Sequence, residues 1–312
     1  MRLRTFESFW LLKNGLLYTY PTLQKNIKTE ILLIGGGITG ALISDALMDA
    51  GYKVTLIDCR DIGQGSTSAT TSMLQYEIDE PLKDLAQKIG EDGAALCYQE
   101  GIIAIKDLKK LVTTKKIDCG FKMKKSLYIA HNKKAAKELH QEYEMRKKHK
   151  LGVKWLEPDA IKKTYGIVSQ GGILSETAAS VDAYKMAHEL IAFNVKRGMK
   201  VFDQTEIKSI EDQGTTPKII TKENHTITAK KIIFCTGFET VNLLKEKVAE
   251  LIYTYATVSE PTQTYNKNLE NILIWNTQDP YLYMRTTDDG RFLVGGEDSE
   301  YKDTILQQNI KE

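Results

Sequence analysis

Residues 31–34, Ile-Leu-Leu-Ile, form a short continuous apolar run. That is the pattern of a parallel strand buried on both faces. Apolar positions then recur at helical spacing, at Leu42, Ala46 and Leu47, which predicts a helix over 41–50 stopped by Gly51. Residues 53–58 return as a second strand. Between the first strand and the helix lies Gly35-Gly36-Gly37-Ile38-Thr39-Gly40. The passage is one strand–helix–strand unit.

Beyond it, residues 63–72 make a loop of small and hydroxyl residues. Helices are expected at 81–89 and 92–115; the second carries Ile102, Ile105, Leu108 and Val112 as an apolar stripe. Residues 121–130 read as strand and 133–150 as a highly charged surface helix. Its end, Arg146-Lys147-Lys148-His149-Lys150, reads as solvated because acidic residues interleave just before it. A second strand–helix passage begins at 171–174, with an amphipathic helix over 182–198 and a strand at 200–202. Segments 205–211, 218–222 and 226–228 suggest a β-meander, and 231–235 a buried strand ending in Thr236-Gly237. The tail is strand-rich, at 251–258, 272–275, 281–285 and 291–294.

The glycine turn carries chemistry. A pyrophosphate needs dense hydrogen-bond donors and positive potential, and a helix N-terminus supplies both. Gly35 permits the tight turn, Gly37 lets phosphates approach the backbone, and Gly40 lets the helix pack on the strand. Asp58 ends the second strand, placed to accept hydrogen bonds from an adenosine ribose. Strand, turn, helix and acid together point to a dinucleotide. They do not choose between NAD and FAD. The 63–72 loop leans toward FAD, since it offers backbone N–H groups and hydroxyls just beyond the ribose-binding strand.

Composition narrows the classes. The 312 residues carry 43 basic and 41 acidic side chains, a net charge of +2, which argues against nucleic acid as a partner. The four cysteines and five histidines show no metal-ligand spacing, so no metal site is expected. Reduced thiols and the lack of a signal peptide predict a cytoplasmic protein. No run of apolar residues is long enough to span a membrane. The leader, with Phe6, Phe9, Trp10, Leu16, Leu17, Tyr18 and Tyr20 before Pro21, is expected to pack over the edge of the main domain.

These residues resemble the FAD-dependent amino acid oxidase family, which includes D-amino acid oxidase, glycine oxidase and sarcosine oxidase. The match begins with 33–40 and Asp58. It continues with Asp61-Ile62-Gly63-Gln64-Gly65-Ser66-Thr67-Ser68, similar to the loop those enzymes place along the cofactor. Ser180-Val181-Asp182-Ala183 is similar to the family's Val-Asp-Pro, with alanine for proline. Residues 232–237 are similar to the strand end near the cofactor, and 281–291 with 294–298 to a segment of bacterial members. The family continues with a Gly-x-Pro-x-Ile-Gly-like segment, and the sequence ends at Glu312 without one, so it reads as lacking the C-terminal part.

The resemblance implies an α/β fold: a Rossmann-like FAD-binding domain, a parallel sheet with a β-meander, interleaved with an α+β antiparallel-sheet substrate domain. The expected division is a leader at 1–26, an FAD-binding domain at 27–116 and 172–240, and a substrate or cap domain at 117–171 and 241–312. It implies FAD contacts at Gly35, Gly36, Gly37, Ile38, Thr39, Gly40, Asp58, Cys59, Arg60, Gly65, Ser66, Thr67, Thr236 and Gly237. The implied reaction oxidises an amine carbon of a small amino acid or related amine by hydride transfer to flavin N5, with dioxygen or another electron acceptor. Arg285 could bind a substrate carboxylate and Tyr283 line the cavity, though both lie on an expected strand where a structural role serves equally. Gln75 and Tyr76 follow the cofactor loop and are further candidates. The alternatives are an NAD-dependent dehydrogenase and a non-catalytic FAD-binding module.

Overall fold

A computed structural model describes residue 3 and residues 7–211 and 216–300. Phe6 of the leader and the stretch 301–312 of the expected second domain lie outside them. The helices are α1 (Phe9–Asn14), α2 (Ile38–Asp49), α3 (Leu82–Ile89), α4 (Glu91–Lys115), α5 (Lys133–Lys148), α6 (Pro158–Tyr165) and α7 (Ala183–Lys196). The strands are β1 (Ile27–Ile34), β2 (Val54–Ile57), β3 (Met73–Gln75), β4 (Lys122–Ile129), β5 (Val153–Leu156), β6 (Gly172–Ser180) and β7 (Lys200–Phe202). They continue as β8 (Ile207–Glu211), β9 (Lys218–Thr221), β10 (Thr226–Phe234), β11 (Ile252–Val258), β12 (Ile272–Asn276), β13 (Leu282–Thr286) and β14 (Phe292–Glu300).

Two sheets organise the molecule. The first runs β7-β2-β1-β10-β9-β8. Its first four strands are parallel and the last three form an antiparallel meander. β1 sits at the centre, with Leu32 and Leu33 fully buried, and each such side chain contributes about 1.5–3 kcal/mol by leaving water. Against one face pack α2 and α7, through Ala41, Ala187, Leu190 and Ile191. On the other face Leu23 of the leader joins Leu32, Ile34 and Ile57.

The second sheet runs β11-β14-β13-β12-β4-β6-β3, with β5 on β6. It is antiparallel except where β12 runs parallel to β4. This is the mixed α/β architecture the sequence predicts, with its two sheets interleaved along the chain.

Several local expectations change. Segments 226–228 and 231–235 are one strand, β10, pairing with β9 by its first residues and with β1 along its length. Lys230 and Lys231 interrupt the apolar pattern there because both point to solvent, and Lys230 faces Glu30 at 3.6 Å. Strand β6, grouped by sequence with the FAD-binding half, pairs instead with β4 in the second sheet. Helices α1 and α6 and strands β3 and β5 had no sequence expectation.

Arg146 is the sharpest correction. The end of α5 is not simply solvated: Arg146 is 1 % exposed and its Nε donates to Glu142 at 2.7 Å, with Glu77 at 3.4 Å from Nη1. Glu142 also accepts the Leu82 and Lys83 N–H groups at 2.9 and 3.0 Å, capping α3, whose own N-cap residue is Pro81. A buried cation here is tolerable because two carboxylates face it.

Candidate cofactor site

The parallel register brings three strand ends to one edge. Ile34 is level with Ile57 and with Phe234, so Gly35, Asp58 and Cys235 emerge side by side. Ligands bind outside the carboxyl ends of such strands. There the structure has a cavity of about 430 Å3.

Its floor is the glycine turn. Gly35 has φ +112°, and a Cβ there would stand 2.3 Å from the Cys235 carbonyl oxygen. A Cβ on Gly40 would stand 1.9 Å from the Gly35 carbonyl oxygen, so helix and turn touch through bare backbone. Gly37 borders the cavity and a Cβ would meet Thr67 Oγ1 at 2.9 Å. That hydroxyl in turn accepts the Ile38 N–H at 3.0 Å. Helix α2 has no side-chain cap and no acid in its first turn. Apart from the Ile38 N–H, which Thr67 takes, its first N–H groups and positive dipole end are therefore left for an anion.

Asp58 is fixed from two sides. Its Oδ2 accepts the Gly36 N–H at 2.7 Å and its Oδ1 the Arg60 N–H at 2.8 Å. Burial pushes its pKa up, and the two backbone donors pull the other way. Each oxygen keeps a lone pair for a ribose hydroxyl. Arg60 holds Glu239 across the mouth, Nη2 to Oε2 at 2.5 Å and Nη1 to Oε1 at 3.3 Å. Burial raises the Cys59 and Cys235 thiols to about 11, so both are protonated at neutral pH and are not nucleophiles.

Gly35, Gly37, Ile38, Thr39, Asp58, Cys59, Arg60, Gly65, Ser66, Thr67, Thr236 and Gly237 all border this cavity. Gly36 and Gly40 stand behind it as packing glycines. Sequence reasoning missed the opposite wall, where Ile207, Ile210, Phe234, Phe238 and Leu243 present apolar surface with Thr205 and Asn242 beside them. One signal existed: Phe234, in a strand read as buried, is 41 % exposed because its ring faces the cavity.

The other candidates lie elsewhere. Arg285 borders a separate polar cavity and shares none with the glycine turn. Its Nη1 donates to the carbonyls of Ser72 at 2.7 Å and Val181 at 3.1 Å. Tyr283 covers Gly295, and its hydroxyl stands 3.4 Å from Thr254 Oγ1. Gln75 donates to Ser126 Oγ at 3.0 Å, and buried Tyr76 to Ser175 Oγ at 3.0 Å. The leader packs inward: Trp10 is 1 % exposed and its Nε1 donates to Thr70 O at 2.6 Å. No described group of His, Cys, Asp or Glu could hold a metal ion, and no described helix is long and apolar enough to cross a membrane.

A helix N-terminus without a side-chain cap, a carboxylate held at the end of the adjoining strand and an apolar wall give the geometry of a dinucleotide-type site. The chain belongs to the DAO family of FAD-dependent oxidoreductases, whose pattern matches residues 30–311. It is 27 % identical over 74 % of its length to a Bacillus subtilis protein named as a Rieske 2Fe-2S iron-sulfur protein, covering 44 % of that relative. It is 23 % identical over 89 % of its length to gamma-glutamylputrescine oxidoreductase of Escherichia coli, covering 66 % of it. The chain thus spans less than two thirds of either relative. Among solved structures, glycine oxidase from Geobacillus kaustophilus superposes with a TM-score of 0.68 at 18 % identity, over 88 % of this chain and 73 % of that one. With the family's FAD dependence, the NAD alternative falls away.

Proposed function

We propose that this protein uses FAD to oxidise the amine carbon of a small amino acid or related amine, passing the electrons to dioxygen or another acceptor. The observation that carries the reading is the cavity at the glycine turn, where α2 is uncapped and Asp58 is held by two backbone donors. FAD, when bound, supplies the two-electron oxidation. The chain's own residues do the rest. The α2 N-terminus and Thr67 hold the pyrophosphate, Asp58 the ribose, and the Ile207–Phe234 wall the adenine. Gly35 to Gly40, Cys59, Arg60, Gly65, Ser66, Thr236 and Gly237 complete this proposed contact set.

The amine preference is supported by the relative that acts on gamma-glutamylputrescine and by the glycine oxidase neighbour. In this reading the first sheet binds cofactor and the second, with Tyr283 on β13, faces substrate, and β6 passes to the second unit. All four cysteines are free, which supports a cytoplasmic setting.

The purified protein is titrated with FAD and then exposed anaerobically to glycine, sarcosine, D-amino acids, L-proline and gamma-glutamylputrescine. At least one of them is expected to bleach the visible flavin band. Tight FAD binding with no bleaching by any amine would replace this reading with the non-catalytic module. Failure to bind FAD would remove the cofactor assignment as well.

A further inference from the structure

The second cavity, about 200 Å3, lies where β4, the end of β6 and β13 meet the N-terminal helix α1. Two cations stand at its inner wall: Lys124, 7 % exposed, and Arg285, 5 % exposed. Neither has a carboxylate partner among the described residues. Lys124 Nζ donates to the Glu270 backbone carbonyl. Arg285 gives both Nη1 hydrogens to Ser72 and Val181 and its Nε to Thr286, carbonyls in every case. A guanidinium has five N–H groups and an ammonium three. The two Nη2 hydrogens of Arg285 and two of the Lys124 hydrogens therefore meet no acceptor among the described residues.

The acids that border the cavity are already engaged. Asp118 pairs with Lys185 at 2.7 Å. Asp182 accepts from Asn14 at 2.7 Å and from the Lys185 N–H at 2.9 Å. Glu270 accepts from Tyr265 and Lys267 at 2.9 and 3.0 Å, and Asp288 pairs with Lys13. Both Asp182 donors are neutral, so its charge offsets one of the three remaining cations, Lys124, Arg285 and the nearby Lys122, and the balance left over is positive. Burial first, then Arg285 and Lys122, bring the Lys124 pKa down to about 8 against the opposing pull of Glu270. Glu270 acts on Lys124 and Asp288 and Asp182 on Arg285 without forming a hydrogen-bonded ion pair with either, and a bound anion would relieve the remaining cost of burying two cations. Trp10 closes the cavity, with the Arg285 guanidinium 5.4 Å above its ring.

We propose that this cavity is a binding site for a compact oxyanion, a phosphate or carboxylate group held between Lys124 and Arg285 with Ser180 beside them. Its volume admits the anionic group and a short stem. The site is distinct from the glycine-turn cavity and does not rest on the amine reading.

The test is calorimetric titration of the full chain with inorganic phosphate, sulfate and acetate at constant ionic strength set with chloride. The variants are Lys124→Met and, because Arg285 also ties two loops, the milder Arg285→Lys. FAD binding serves as the control for folding. Saturable binding of at least one of these oxyanions by the parent is expected, weakened at least tenfold in Lys124→Met while FAD binding is retained. Weaker binding in Arg285→Lys adds support. Saturation by phosphate or sulfate but not acetate identifies a phosphate-type ligand, and the reverse a carboxylate. Absence of saturable binding by all three, or unchanged affinity in Lys124→Met, overturns the proposal.

Discussion

As proposed, the two cavities would bind anions by opposite means. At the glycine turn the donors are backbone N–H groups, and side chains are excluded: a Cβ at Gly35, Gly37 or Gly40 collides with a neighbour. In the polar cavity the donors are the tips of Lys124 and Arg285, brought together from strands far apart in the chain. A backbone cradle is made by one local stretch and fails by collision. A side-chain cradle is assembled by the sheet and fails by loss of charge. The first should be intolerant of added atoms and indifferent to pH near neutrality. The second should tolerate substitution and titrate.

The largest effect sharpens the first half of that contrast. Gly40→Ala puts a methyl group against a backbone carbonyl that cannot swing aside, and should lower stability by about 3 kcal/mol or more. Urea unfolding measures this, and a loss under 1 kcal/mol would mean that the turn is not close-packed.

Next is a side chain buried behind the cofactor loop. His188 is fully buried, its ring nitrogens make no hydrogen bond of good geometry, and burial lowers its pKa to about 4 against weaker opposing pulls from the Ile62 backbone and Asp61. The native state keeps the imidazole neutral while the unfolded chain protonates below its ordinary value near 6.5. Stability is thus lost as pH falls between those values, by up to about 3 kcal/mol. His188→Leu should remove that part of the acid slope. A slope unchanged from the parent would assign the loss to other groups.

Asp58→Ala tests the ribose anchor. It leaves the Gly36 and Arg60 N–H groups without their acceptor and should weaken FAD binding by about ten- to a hundredfold, with about 1–3 kcal/mol of stability lost. Fluorescence titration with FAD reads the first effect; undiminished affinity would remove Asp58 from the site.

The smallest effect separates the cavities by pH. Lys124 faces Arg285 and Lys122, which lower its pKa, and Glu270, which raises it; the balance with burial leaves it at about 8. Sulfate stays a dianion through this range, so its affinity should fall about tenfold as Lys124 loses its proton between pH 7 and 9. A flat profile would show that Lys124 does not hold the anion.

Legibility follows the same divide. Gly35, Gly37, Gly40 and Asp58 were readable because strand, turn and helix are continuous in sequence, and their spacing carries the geometry. The burial of Arg146 was not, since it depends on Glu77, 69 residues away, while its own helix looks uniformly charged. Lys124 sits in a strand where Lys122 and Lys125 are exposed, and only the neighbouring β6 and the packing above it bury one lysine of the three. That β6 pairs with β4 was not readable, because an apolar strand before an amphipathic helix fits either sheet. The apolar wall at Ile207 and Ile210 has no local signature, being placed by β8 pairing with β9, which itself pairs with β10.

The two carbonyls that fasten the cofactor-side loop set an order of events in synthesis. Thr70 is held by Trp10, which leaves the ribosome early, whereas Ser72, met by the Val181 N–H at 3.4 Å, gains its shorter hydrogen bond only with Arg285, 213 residues further on. At ordinary translation speeds that interval is on the order of ten to forty seconds. The nascent chain can complete the central parallel strands of the first sheet once β10 is made, and still lack the Arg285 tie on its cofactor loop. Full closure of that loop follows only after β13 has joined the second sheet.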